Sequence, residues 1–257
     1  MNPETVLITG ASSGIGLELA KLFAADKSNL ILVARSADKL TSLAESLRAQ
    51  HGVTVRVMPK DLAQPEAPQQ LFDELSRDGV EIDVLVNNAG FGHRGTISQI
   101  PLQRQLDMIQ VNITALTALT RLFLPGMLAR NRGGILNVGS TAGFQPGPEM
   151  GVYYATKAYV QNFTEALAEE VRHTKLKISC LAPGATETGF ADAADMRSAR
   201  LFRVSVMTAE AVARIGYDGF RKGKVVVITG LRNKLLVQSV RLSPRFMVRK
   251  ITHALNK

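Results

Sequence analysis

Tyr153 and Lys157 stand four residues apart, and Val160, Phe163, Leu167 and Val171 beyond them keep helical spacing, so the two side chains share one helix face. A phenol with an ordinary pKa of about 10 is a poor source of a controllable proton at neutral pH. A neighbouring ammonium favours the phenolate and is expected to lower that pKa. The pair therefore reads as an acid or base acting on a reacting oxygen. Tyr154 also lies within reach of Lys157 at i,i+3, and spacing does not separate the two tyrosines. Ser140 offers a hydroxyl able to hold a substrate oxygen in place, although taken alone it reads equally as a cap or turn residue.

A second constellation lies near the N-terminus. The run Thr9-Gly10-Ala11-Ser12-Ser13-Gly14-Ile15-Gly16 follows the apolar segment Thr5–Thr9 and precedes a helical pattern through Leu17, Leu19, Ala20, Leu22 and Phe23. A glycine turn between strand and helix lets the backbone approach a pyrophosphate, and the free amides and positive dipole at the helix start attract it. Glycines also serve ordinary turns, but the strand before and the helix after supply the context that a dinucleotide site requires.

These residues need a scaffold. Thr5–Thr9, Leu30–Val33, Val53–Met58, Ile82–Val86, Ile135–Val138, Lys177–Leu181 and Val225–Ile228 read as strands, and longer amphipathic stretches between them read as helices. Strands apolar on consecutive residues are buried on both faces, as in a parallel sheet covered by helices. The pattern predicts an α/β single-domain Rossmann fold over residues 1–257, a doubly wound parallel sheet with helices on both faces. No repeat, low-complexity tract or Gly/Ser linker divides the chain.

The Gly-x-x-x-Gly-x-Gly spacing resembles that of the short-chain dehydrogenase/reductase family. The resemblance grows along the chain: Asp61-Leu62 after the third strand, Asn87-Asn88-Ala89-Gly90 after the fourth, Asn112 in the next helix, Ser140 after the fifth, Tyr153-x-Ala155-Thr156-Lys157, and Pro183-Gly184 after the sixth. The motifs keep the family's order over roughly the first three quarters of the chain, and together they are far more specific than any one of them. The resemblance implies an NADP-preferring oxidoreductase of the ketoreductase type, moving hydride between a nicotinamide and a ketone, aldehyde or secondary alcohol. It implies a catalytic set of Asn112, Ser140, Tyr153 and Lys157 and selects Tyr153 over Tyr154. Lys157 would also bind the nicotinamide ribose, and Asn112 would support a water-borne proton relay. Cofactor contacts are implied for Gly10, Ser12, Ser13, Gly14, Ile15 and Gly16, for Asp61 and Leu62 at the adenine, and for Asn88, Ala89 and Gly90. Pro183, Gly184, Thr186 and Thr188 would flank the nicotinamide, with Thr186 standing where the pattern more often has an aliphatic residue. A substrate lid is expected over about residues 185–210, where Phe190, Met196, Leu201, Phe202, Val204 and Met207 favour a hydrophobic pocket. The family often forms homodimers or homotetramers.

The second strand ends in Val33-Ala34-Arg35-Ser36, with Ala34 where an acid would bond the ribose 2′-hydroxyl of NAD. Arg35 offers a fixed charge and planar donors suited to a 2′-phosphate, and Ser36 a hydroxyl, so NADP(H) is expected over NAD(H). Asp38 opposes this if the loop curls back toward the ribose. His93 follows the Asn-Asn-Ala-Gly turn without ligands at metal-site spacing, so no catalytic metal is expected.

The net charge of +9 is local: ten Lys/Arg and no Asp/Glu lie from Arg221 onward, leaving 21 bases against 22 acids elsewhere. That tail has one aromatic, Phe246, and no nucleic-acid motif. Residues 231–257 are expected to form a separable element outside the chemical site, broken at Pro244. Two readings of it stay open: a C-terminal helix packed on its own domain or a sister subunit, and an interfacial helix that docks on anionic lipid or an acidic carrier. The single Cys180 sits in an apolar strand and reads as a buried thiol. With no signal-peptide pattern and no apolar run of about 18 residues, a cytoplasmic location is expected. The rival from a different class is an NADP-binding regulatory or scaffolding protein with little turnover.

Overall fold

A computed structural model describes residues 3–190, 194 and 206–256. Seven strands form one all-parallel sheet: β1 (Thr5–Thr9), β2 (Asn29–Ala34), β3 (Val55–Pro59), β4 (Val84–Asn87), β5 (Gly134–Val138), β6 (Lys177–Ala182) and, last in sequence, β9 (Val226–Ile228). A separate parallel pair, β7 (Thr186–Glu187) and β8 (Met207–Thr208), lies within the expected lid region. The main sheet runs in the order β3-β2-β1-β4-β5-β6-β9. Each of the seven expected strands is present. The apolar runs start early at Val53 and Ile82, which are buried but lie outside the ladder, because the pattern marks burial rather than pairing.

The consecutive apolar residues feed two cores. In β1, Val6 and Ile8 pack on one face against Leu19, Ala20 and Phe23 of α1 (Gly14–Ala25), Leu40 and Leu47 of α2 (Ala37–His51), and Phe220 of α7 (Ala209–Arg221). Leu7, between them, points to the other face, among Leu71 and Leu75 of α3 (Ala67–Arg77), Phe123 and Met127 of α5 (Leu116–Arg130), and Leu167 of α6 (Gly151–Glu170). All three β1 side chains are fully buried, and each such side chain removed from water contributes about 1.5–3 kcal/mol.

The helix before β5 is continuous over Leu102–Arg130: α4 (Leu102–Ile109), a π-helical turn (Gln110–Ala115) and α5. By length and composition this helix is long and apolar enough to cross a membrane, although Arg104, Asp107 and Arg121 interrupt it and no uninterrupted apolar run of about 18 residues lies in it. It instead forms part of a sheet-covering layer, with contacts to α3 and α6. Two further helices end the chain, α8 (Leu231–Leu242) and α9 (Arg245–Asn256), and they break at Pro244 as the sequence predicts. Arg221, first of the ten tail bases, is tied to the body of the domain: its guanidinium bonds Glu4 at 2.7 Å and lies 5.0 Å over the Phe23 ring.

Candidate active site

The sheet order reverses direction between β1 and β4, and in doubly wound sheets the cleft beyond the strand ends at that point takes the ligand. Gly10 leaves β1 with φ +66°, a left-handed conformation that glycine adopts without strain. A Cβ on Gly16 would collide with Gly10 O and Asn88 Nδ2, so α1 packs closer to the strand ends than any side chain allows. Asn88 pins the loop through Nδ2, which donates to Thr9 O at 2.9 Å and Gly10 O at 3.1 Å. Thr9 Oγ1 in turn accepts from the amides of Asn88 and Ala89, both at 3.0 Å. At the start of α1, Ser13 makes no side-chain cap and the first turn holds no acid, so its amides remain available for an anion. This cradle fits a pyrophosphate, and Gly10, Ser12, Ser13, Gly14, Ile15 and Gly16 are the residues that would surround it.

Across the cleft lies the loop after β6. Thr141 N donates to Pro183 O at 2.8 Å, and Thr186 Oγ1 donates to Gly184 O at 3.0 Å. A Cβ on Gly14 would stand 3.0 Å from Thr188 Cγ2, so the two loops meet face to face. Asn87 has a structural duty, donating from Nδ2 to Asn137 Oδ1 at 2.9 Å and Thr120 Oγ1 at 3.2 Å inside the sheet layer. Asp61 accepts from Ala63 N at 3.0 Å, while Leu62 is buried in the second core.

Ser140, Tyr153 and Lys157 come together beside this cleft. Ser140 follows β5 and stands close enough to the Tyr153 hydroxyl to lower its pKa; its Oγ accepts from Ala142 N at 3.1 Å and donates to Pro183 O at 3.4 Å. Lys157 Nζ donates to Val138 O at 2.8 Å and lies 5.9 Å from the Tyr153 ring centre. Asn112 sits in the π-helical turn, where the widened turn re-aims a side chain. Its Nδ2 donates to Phe91 O and Thr156 Oγ1, both at 3.0 Å, and its Oδ1 accepts from Phe91 N at 3.1 Å. A Cβ on Gly90 would lie 3.0 Å from Asn112 Oδ1 and 3.5 Å from Lys157 Nζ, which brings all four expected catalytic residues to one locality.

The electrostatics correct one expectation. Tyr153 is pushed above the ordinary phenol range, not below it: burial dominates, opposed by the Ser140 hydroxyl, and Tyr154 adds to the rise. The amine bonds the Val138 carbonyl, and burial depresses Lys157 itself to about 8, partly offset by Cys180. Cys180 is the buried thiol that the sequence suggests, raised to about 12 by burial. A neutral phenol beside a hydroxyl and a readily titrated amine can donate a proton to an oxygen placed between the first two.

Geometry separates the tyrosines where spacing does not. The Tyr154 hydroxyl is engaged elsewhere: it donates to Asn256 Oδ1 of α9 at 3.0 Å. Asn256 is fully buried, and its Nδ2 donates to Pro148 O at 2.8 Å. His253, one turn earlier, lies 3.3 Å from Glu149 Oε1. On α8, Asn233 packs so closely on Gly184 that a Cβ there would overlap its amide. The tail is therefore not separable from the site: both of its helices brace loops that carry it. Asn256 is missed by sequence reasoning because a C-terminal Asn carries no motif. Lys39 is missed likewise; with Asp38 and Ser42 it lines a depression beside Ser12, at the exposed Arg35-Ser36 corner.

Around Tyr153 the surface is apolar. Met108, Ala142, Met150 and Tyr154 form its buried neighbourhood with Phe91 and Phe190, whose ring centre lies 5.2 Å from that of Tyr153. Met196, Leu201, Phe202 and Val204 lie outside the described residues. His93 keeps a buried Nδ1 with no hydrogen-bond partner among the described residues.

Fold and site together define a parallel, doubly wound dinucleotide-binding sheet with Ser140, Tyr153 and Lys157 beside its glycine cradle. The chain belongs to the short chain dehydrogenase family, whose pattern matches residues 4–198. It is 36% identical over 181 residues, 68% of this chain and 52% of the relative, to a very-long-chain 3-oxoacyl-CoA reductase of Phaeosphaeria nodorum. The chain thus spans about half the length of that relative. An NADP-dependent 3-hydroxy acid dehydrogenase of Schizosaccharomyces pombe is 36% identical over 196 residues, 74% of each chain. Among solved structures, a short-chain dehydrogenase from Sphingobium yanoikuyae in complex with NADPH superposes with a TM-score of 0.83 at 33% identity, covering 93% of this chain and 94% of its own.

Proposed function

We propose that this chain is an NADP(H)-dependent carbonyl reductase acting on an apolar ketone or aldehyde, with 3-oxoacyl compounds the first class to try. The observation that carries the proposal is the juxtaposition of Tyr153, Ser140 and Lys157 beside the glycine cradle. A bound nicotinamide supplies or takes the hydride. Ser140 holds the carbonyl oxygen, and Tyr153, kept neutral by burial, gives its proton to the alkoxide as charge develops there. Lys157 binds the ribose and, with Asn112, returns a proton toward Tyr153. The apolar wall of Met150, Phe190 and Phe91 excludes water and favours an acyl or alkyl substrate. The names of the two relatives, one acting on 3-oxoacyl-CoA and one on 3-hydroxy acids, support the same substrate class.

Arg35, with Ser36 and Lys39 beside it, would read the 2′-phosphate and favour NADP(H) over NAD(H). The protein would work in the cytoplasm as a homodimer or homotetramer. Its one buried, unpaired cysteine suits a reducing compartment, and the exposed Leu102, Leu106, Ile109 and Leu128 on the long helix suit a subunit contact.

The test is a turnover screen with NADPH against ketones graded in size, polarity and acyl length, including 3-oxoacyl thioesters. Rising kcat/KM with apolar length is the expected result. Tight NADPH binding without turnover across the panel would favour a regulatory protein instead.

A further inference from the structure

We infer that α8 and α9 form a membrane-docking face that seats the protein on an anionic lipid surface. Val237 is the one fully buried side chain of α8. On the opposite side of that helix Leu231, Leu235 and Leu242 fall on a single stripe, and they are 72%, 63% and 88% exposed. At 100° per residue, Arg232 lies on one flank of the stripe and Lys234 and Arg241 on the other. In α9, Val248, Thr252 and Asn256 are buried, whereas Met247 and Ile251 form an exposed stripe flanked by Lys250. A soluble surface helix ordinarily presents its charged face outward and its leucines inward. Here the leucines point out, with cations on their flanks, which is the arrangement of an interfacial helix.

Charge selects the occupant. From Leu231 to Lys257 there are seven Lys/Arg and no Asp/Glu, so a second copy docked through this face would set like charge against like. An anionic bilayer surface offers the complementary charge and an apolar interior for the leucines. The inference is independent of the reaction proposed above.

The test is co-sedimentation of the full chain with vesicles of phosphatidylglycerol and phosphatidylcholine, and with phosphatidylcholine alone, at low and high salt. The expected result is binding to the anionic vesicles at low salt, weakened by salt. Leu235→Ser with Leu242→Ser should cut it about tenfold or more, as should Arg232→Glu with Arg241→Glu. Thermal melting of each variant checks folding, and both pairs are exposed side chains remote from the core. Three outcomes would overturn the inference: no binding to anionic vesicles, equal binding to phosphatidylcholine alone, or binding that ignores both pairs. So would a solution dimer that the leucine pair dissociates in a protein that binds no vesicle, because a second copy would then cover the face.

Discussion

Tyr154 and Asn256, 102 positions apart in sequence, share a buried 3.0 Å hydrogen bond that fastens the end of the chain to the helix carrying Tyr153 and Lys157. Asn256→Ala removes that bond and the one to Pro148 O. Leaving buried groups unpaired costs about 1–3 kcal/mol. We expect a lowered Tm and a raised KM with NADPH affinity little changed, since Asn256 touches the substrate-side loop and not the glycine cradle. Tyr154→Phe should give a similar, smaller loss. Thermal melts and steady-state kinetics check both, and an unchanged Tm in Asn256→Ala would remove the brace from the account.

Lys157 gives a pH signature. Its folded-state value, near 8, lies below the ordinary 10.5 because the amine is buried. Between those values the unfolded chain binds more protons than the folded one, so this residue makes stability rise with pH through that window. Below pH 8 the cost of burying the charge is borne in full. Lys157→Met should therefore be more stable than the parent at pH 7, by an amount that shrinks as pH approaches 10.5, and it should lose turnover. The displacement corresponds to a gain on the order of 3 kcal/mol, less about 1 kcal/mol for the hydrogen bond to Val138. Urea titrations of both proteins at pH 7 and pH 10 decide it; a difference that does not vary with pH would contradict the burial cost.

Arg35→Ala should weaken NADPH much more than NADH. A lost charge-assisted contact of about 1.5–3 kcal/mol corresponds to roughly ten- to a hundredfold in affinity. Lys39→Ala should act in the same direction and more weakly, because it stands farther along α2. Fluorescence titration with each cofactor checks this, and equal losses for both would mean that Arg35 supports the loop without reading the phosphate.

Asn88→Ala deletes both side-chain bonds that hold Thr9 and Gly10. We expect NADPH affinity to fall by about tenfold or more while the sheet stays folded, because the core residues on β1 and β4 are untouched. Calorimetric titration and circular dichroism separate the two effects. Intact affinity would show that the glycine loop holds its shape without Asn88.

The sheet was legible in the sequence because strands buried on both faces are apolar at consecutive positions, as Val6, Leu7 and Ile8 show. The glycine cradle was legible because Gly10 and Gly16 occupy positions that admit no side chain. Three features were not. The phenol's upward displacement depends on how deeply Tyr153 is buried, which a four-residue spacing to Lys157 does not encode. The bond that takes the Tyr154 hydroxyl out of the chemistry, which the family pattern already assigns to Tyr153, joins it to Asn256, 102 positions away, with no local pattern. The tail reads as separable from its charge and its Pro244 break, whereas a few buried positions, Val237, Val248 and Asn256, anchor it against the site.

The proposed chemistry rests on Tyr153 as the group that gives up the proton. The most direct measurement is kcat with NADPH and the best ketone for Tyr153→Phe and Tyr154→Phe, with NADPH affinity measured alongside. Tyr153→Phe keeps the ring in its apolar setting and removes only the hydroxyl that meets Ser140. It should bind NADPH normally and lose at least about a hundredfold in kcat, while Tyr154→Phe stays within a few-fold of the parent. Near-parental kcat in Tyr153→Phe, with activity abolished in Tyr154→Phe, would contradict the assignment.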